Sequence, residues 1–177
     1  MTAMAAARAS ASFMLAHPAR WIALGFGSGL SPRAPGTVGT LWGWVAFLVL
    51  DRWLGPLQWA ALIGAALAVG LWACTLTARD LGVADPSPVV WDEVVAFWIV
   101  LWLVTPASLA AQAAAFVLFR YFDAAKPGPV GWADRRFKLR PGQAIGWAQG
   151  WGILFDDLVA AGCTLLFYAV WVALWRW

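Results

Sequence analysis

The chain has 177 residues, of which 63% are apolar and only 12% charged, with 15 tryptophans and a mean hydropathy of +0.73. Soluble domains average about 45–50% apolar and about 25% charged, so disorder, collagen-like repeats, coiled coil and a water-soluble fold are excluded. Two unpaired cysteines inside apolar runs exclude a disulfide scaffold, and the net charge of +3 carries no nucleic-acid motif. The chain reads as a membrane protein.

Taken in order, residues 1–24 are Ala-rich, with Arg8 and Arg20 and no acid, and lack the apolar core and cleavage site of a signal peptide. They read as a tail, with residues 25–177 as one helical domain. Uncharged stretches then run over 34–50, 53–78, 94–119 and 158–175, of 17, 26, 26 and 18 residues. A helical crossing needs ~20 residues, and ~17 at the short end. The first two stretches are separated only by Asp51 and Arg52, with Gly55-Pro56 close behind. That spacing predicts a tight transmembrane hairpin.

The third stretch is broken by Thr105-Pro106 into halves of 11 and 12 residues, 94–104 and 108–119. Proline ends a helix by removing an N–H and crowding the preceding turn, and halves of ~17 Å cross nothing alone. A short helical hairpin that returns to its own side is expected, followed by a C-terminal span. Segment 120–157 holds Arg120, Lys126, Arg135, Arg136, Lys138 and Arg140, half of all basic residues. The positive-inside rule places it in the cytoplasm with Arg8, Arg20 and Arg33; Arg176 falls on the other side. The fold class is therefore all-α, a helical membrane bundle.

Eight of the nine acids follow residue 79. Asp92 and Glu93 open the third apolar stretch, Asp123 closes it, and Asp156 and Asp157 open the fourth. Single acids at helix starts serve as caps, but a second adjacent carboxylate adds repulsion. Paired acids beside an apolar layer point to a hard cation, Mg²⁺ or Mn²⁺. Asp123 and Lys126 are spaced i,i+3, so one helical turn presents a carboxylate and an ammonium, either as an ion pair or as parts of a phosphoryl site. The stretch 25–39, GFGSGLSPRAPGTVG, offers a turn rich in glycine with Ser28, Arg33 and Thr37. Thr37 is placed to cap the next helix, whose N-terminus attracts phosphate.

Absences narrow the chemistry. The lone histidine, His17, excludes paired-histidine phosphatases, and Cys74 and Arg79 are one residue too close for a cysteine-phosphatase loop. Neither Asp-x-Asp-x-Thr nor Asp-Gly-x-x-Ala-Arg occurs. Carboxylate- and metal-assisted attack on a phosphate remains.

Four segments carry a resemblance: GFGSGLSPRAPGTVGT (25–40), VVWDEVVAFW (89–98), FRYFDAAKPGPV (119–130) and GWGILFDDLVAAG (150–162). In this order and over this length they resemble the phosphatidylglycerophosphatase A family. The resemblance implies a Mg²⁺-dependent phosphatase of a bacterial cytoplasmic membrane with its site facing the cytoplasm. It would hydrolyse phosphatidylglycerophosphate to phosphatidylglycerol by attack of metal-activated water. It implies Asp92, Glu93, Asp123, Asp156 and Asp157 as metal ligands, with Asp92, Glu93, Asp123, Lys126 and Asp157 catalytic. Arg120, Lys126, Ser28, Arg33 and Thr37 would meet the substrate phosphate. Where the family often has glycine this chain has Ala96, and the 137–149 loop is longer, with a Pro141-Gly142 turn and Trp147 and Trp151 placed for the lipid surface. A membrane phosphotransferase would need a nucleotide motif, which is absent, and a transporter would place its acids mid-span.

Overall fold

The computed structural model describes residues 9–140 and 142–175, and every regular element among them is helical. Arg8, Pro141 and Arg176, which entered the charge and turn readings, lie outside the described residues. The helices are α1 (Ala11–Leu15), α2 (Pro18–Ala23), α3 (Pro35–Leu50), α4 (Pro56–Leu81), α5 (Trp91–Val104), α6 (Leu109–Ala125), α7 (Pro129–Arg136) and α8 (Trp147–Trp175), with a 3₁₀ segment over Gly25–Leu30. Four of them, α2, α3, α4 and α7, start on proline. There its missing N–H is one the helix leaves unpaired anyway, and its fixed φ suits the first turn.

Both α4 and α8 are long and apolar enough to cross a membrane. The 16-residue α3 is apolar but shorter, ~24 Å at 1.5 Å per residue. The bundle is the all-α membrane architecture that composition predicts. Pro18–Ala23, read from sequence as part of a tail, are helical and packed. Ala19, Ala23 and Leu24 are fully buried, and Arg20 pairs with Asp80 at the end of α4 at 2.8 Å.

The proline-broken hairpin is present as expected. Thr105, forced out of the helical region by Pro106, is extended at ψ 139°, and α5 stops at Val104. Ser108 restarts the chain by accepting a hydrogen bond from the N–H of Ala111. The far ends of α5 and α6 converge, since Arg120 Nη1 on α6 lies 3.6 Å from Glu93 Oε1 on α5. The chain thus returns to the side from which it entered.

At the centre lies α5, buried on nearly all sides. Its Trp98 Nε1–H donates to the carbonyl of Gly43 on α3 at 2.8 Å, and its Trp91 Nε1–H to that of Ala66 on α4 at 3.0 Å. The expected tight hairpin of α3 and α4 is therefore corrected. The two legs join near their turn, where Phe47 stacks on Trp59 at 4.5 Å and Trp59 Nε1–H donates to Asp51. Beyond that, α5 is wedged between them. A second correction concerns α8, which starts at Trp147 rather than near 158 and so carries Asp156 and Asp157 inside its length. The two acids interrupt the uncharged stretch but not the helix, because each finds a place in the interior.

Helices in a membrane gain little from expelling water between them and associate instead through close packing over small residues. Gly39 on α3 is such a contact: a Cβ there would lie 2.7 Å from Val90 Cβ. Gly39→Ala is expected to destabilise the protein by ~1–3 kcal/mol through overpacking. Gly64→Ala, where a Cβ meets nothing within 4 Å, should lower stability not at all. Thermal unfolding of both variants in detergent micelles checks the contrast.

Candidate active site

Three helices deliver charge to one place. The first turn of α5 supplies Asp92 and Glu93, the last turns of α6 supply Arg120 and Asp123, and the middle of α8 supplies Asp156 and Asp157. Lys126 follows α6, and the start of α3 contributes Pro35 and Gly36. These groups, with Asp85 from the α4–α5 loop, line a polar cavity of about 250 Å³. Six carboxyl side chains against two cationic ones leave it with a large acidic surplus.

At its core, one carboxylate oxygen from each of Asp92, Glu93 and Asp157 lies within 4.8 Å of the others. Asp92 is 9% and Asp157 3% exposed. Asp92 Oδ1, Glu93 Oε2 and Asp157 Oδ2 are buried with no hydrogen-bond partner. A buried polar atom left unpaired costs about 1–3 kcal/mol, more when charged, so three from neighbouring carboxylates call for a shared partner. An all-oxygen donor set of this kind suits a hard divalent cation, so the cluster can hold a metal ion. Gly36 makes room for it to form: a Cβ there would stand 2.1 Å from Glu93 Oε1 and 3.1 Å from Arg120 Nη2.

The two cations sit on either side. Arg120 Nη1 donates to Asp123 Oδ2 and faces Glu93, while its Nε–H is buried without a partner. Lys126 Nζ donates to Asp156 Oδ2 at 2.5 Å and to Asp134 Oδ1 at 2.6 Å. Burial works against the Lys126 charge, but hydrogen bonds to Asp134 and Asp156 outweigh it and hold its pKa above the ordinary lysine value. Burial likewise opposes the Asp134 charge, and bonds from Lys126 and Lys138 overcome it, leaving that carboxyl below the usual range.

The i,i+3 turn read from the sequence is not the pair that forms. Lys126 precedes Pro127 and leaves the helix with φ 48°. That turns its side chain toward α7 and α8, and Asp123 pairs back to Arg120 instead. The adjacent acids of α8 also divide, Asp156 facing Lys126 and Asp157 joining Asp92 and Glu93. Of the Gly-rich stretch, only Ala34, Pro35 and Gly36 reach the cavity. Ser28 donates to the carbonyl of Gly25 and Arg33 is exposed. Thr37 is inside α3, and the cap position is Ala34, in the left-handed region at φ 46°. His17 caps α2 by accepting from the N–H of Ala19. Sequence reasoning misses Asp134 and Asp85, although Asp134 and Lys138, 2.8 Å apart, stand at the i,i+4 spacing of an ion pair.

An all-helical membrane bundle whose central helix ends in a buried carboxylate cluster, flanked by arginine and lysine, is a membrane-embedded enzyme of acid-and-cation type. The chain belongs to the phosphatidylglycerophosphatase A family, whose profile matches residues 21–172. It is similar to the phosphatidylglycerophosphatase A of Escherichia coli, 36% identical over 152 residues covering 86% of this chain and 82% of the relative. That of Haemophilus influenzae is 37% identical over 147 residues, 83% of this chain and 84% of the relative. A Bacteroides thetaiotaomicron relative, 38% identical over 157 residues (84% and 90%), is named provisionally as a phosphatidylinositol-3-phosphatase. No solved structure matches the chain.

If the three orphaned oxygens are cation ligands, the purified protein should bind Mn²⁺, read by loss of the free-ion electron paramagnetic resonance signal. Asp92→Asn and Asp157→Asn should each weaken that binding by at least ~10-fold, with the helical content of the wild type.

Proposed function

We propose that this protein hydrolyses phosphatidylglycerophosphate to phosphatidylglycerol and inorganic phosphate. The observation that carries the reading is the convergence of Asp92, Glu93 and Asp157, each with an unpartnered buried oxygen, beside Arg120 in a cavity at the ends of apolar helices. The names of the E. coli and H. influenzae relatives support the substrate. Residues 25–177 would form the phosphatase domain, with 1–24 as an N-terminal extension whose Ala19, Ala23 and Leu24 are buried against it.

The donor set fits Mg²⁺, with Mn²⁺ as a substitute, held by Asp92, Glu93 and Asp157, and by Asp123 and Asp156 if these release their cations. Such an ion would neutralise part of the acidic surplus and polarise a phosphoryl oxygen. The remaining work falls to side chains. The free Arg120 Nε–H donates to a phosphoryl oxygen, and Lys126, held by Asp134 and Asp156 in the cavity wall, adds a second positive charge, so charge developing on the transferred group is met by fixed groups. The N–H groups at the start of α3, bared by Gly36, add the positive end of a helix. Arg33 and Thr37 flank that start outside the cavity lining and would meet the outer part of the headgroup; Ser28, turned onto its own loop, supports the turn. Asp157 or Glu93 takes the proton of the attacking water. The acyl part of the substrate stays among the helices while its phosphate enters the cavity.

Phosphate release should be fastest from phosphatidylglycerophosphate among a panel including phosphatidic acid and phosphatidylinositol 3-phosphate, require Mg²⁺ and stop with EDTA. Asp92→Asn, Asp123→Asn and Asp157→Asn should each reduce it by ~10²-fold or more while the protein stays inserted. Wild-type rates in those variants would overturn the site assignment, and a preference for the inositol lipid would replace the substrate.

The basic segment 120–157 is read as cytoplasmic, which places the site on that face of a bacterial inner membrane. In a chain lacking Cys74 and Cys163, an Arg140→Cys variant should resist an impermeant thiol reagent in spheroplasts and react in inverted vesicles. Reaction in intact spheroplasts reverses the orientation.

A further inference from the structure

Lys126 stands where a lysine is rarely found. Helices often end on a residue in the left-handed region, and glycine normally takes that place because a Cβ is crowded there. Here α6 ends on a lysine at φ 48°, ψ 48°. A long side chain keeps such a backbone only where its surroundings hold it.

The hold comes from α7, on backbone and side chain alike. Gly131 lies against the lysine's own carbonyl, and a Cβ there would stand 2.5 Å from that oxygen. One turn further along the same face of α7, Asp134 Oδ1 accepts from Lys126 Nζ at 2.6 Å. Its other oxygen, Oδ2, pairs with Lys138 Nζ at 2.8 Å, so both carboxylate oxygens are engaged. The Asp134 side chain is 15% exposed and that of Lys138 65%. The carboxylate thus ties an interior cation to a surface one.

Lys126 and Asp156 line the polar cavity, and Asp134 does not. Asp134 therefore reaches a group in the cavity only through the lysine. An ammonium carries three N–H donors. Asp134 and Asp156 take one each, which fixes Nζ from two sides and leaves the third donor for an anion in the cavity. With Asp156 alone, a flexible four-carbon chain would swing about a single contact.

We propose that Asp134 is a positioning residue, holding the Lys126 ammonium so that its remaining N–H serves the phosphoryl group in the cavity. This rests on the lipid-phosphatase reading above. A donor fixed in advance meets charge as it develops on that group, so loosening it lowers kcat rather than raising KM.

The test is a double-mutant cycle of Asp134→Ala and Lys126→Met, assayed on phosphatidylglycerophosphate in detergent micelles. Asp134→Ala should lower kcat by ~10-fold or more with KM within ~2-fold of wild type. Lys126→Met should lower kcat by ~10²-fold. The double variant should lose no more than Lys126→Met alone, because Asp134 has no other route to the substrate. Losses that multiply overturn the proposal, as does a rise in KM at unchanged kcat. Asp80→Ala, which breaks the ion pair with Arg20 outside the cavity, should leave kcat as in the wild type. An equal fall in kcat there traces the effect to general loosening of the bundle and overturns the positioning role. If Asp134→Ala loses the helical content of the wild type, Asp134→Asn, which keeps the shape and removes the charge, replaces it in the cycle with the same expected coupling. A wild type inactive on every lipid phosphate overturns the phosphatase reading instead.

Discussion

Like charges held close in a medium of low polarity repel strongly, and this fold assembles its acids from three different helices. Asp92 and Glu93 come from α5, Asp123 from α6, and Asp156 and Asp157 from α8. No local rule brings these segments together; apolar packing around α5 does. The two available cations divide the burden. Arg120 takes Asp123 and faces Glu93, and Lys126 takes Asp156 with Asp134. What they leave unmatched is the group Asp92, Glu93 and Asp157. The protein has thus satisfied the rim of its acidic cavity and left the centre short of positive charge. Thr77 Oγ1, Thr105 Oγ1 and Arg120 Nε are also buried without a partner, but the three carboxylate oxygens come from side chains clustered at one point, and that deficit of positive charge suits a cation.

The rest of the architecture serves that centre. The break at Pro106 folds α5 and α6 back so that residues 92 and 123 line one cavity, although 30 positions separate them. The glycines of α3 let it lie against α5 closely enough for Gly36 to touch both Glu93 and Arg120. Long apolar helices α4 and α8 pack against α5 and keep the group in place. A phosphate on a membrane lipid would meet these side chains without leaving the bilayer.

Much of this was legible in the sequence, and the reasons differ by element. The hairpin of α5 and α6 could be read because a proline at the middle of a charge-free stretch has a local steric effect. The acid set could be read because carboxylates are rare in such a composition. The start of α8 could not, since a charge-free criterion ends at Asp157 whereas a helix tolerates acids that point into a polar cavity. Lys126 was assigned to Asp123 by helical spacing, and the proline after it changed the backbone at that residue. The interposition of α5 between α3 and α4 depends on contacts between segments far apart in the chain. Asp134 and Asp85 enter the site only through the way α7 and the α4–α5 loop fold over it.

The neighbouring acids of α8 carry one more implication. Successive residues on an α-helix point ~100° apart, so Asp156 and Asp157 look into two different clusters from one rigid rod. A rotation of α8 about its axis that improves the reach of one must degrade that of the other. Whatever fixes the Lys126 contact also sets the aim of Asp157. The lysine clamp and the carboxylate centre are therefore geared together, and α8 is the shaft between them.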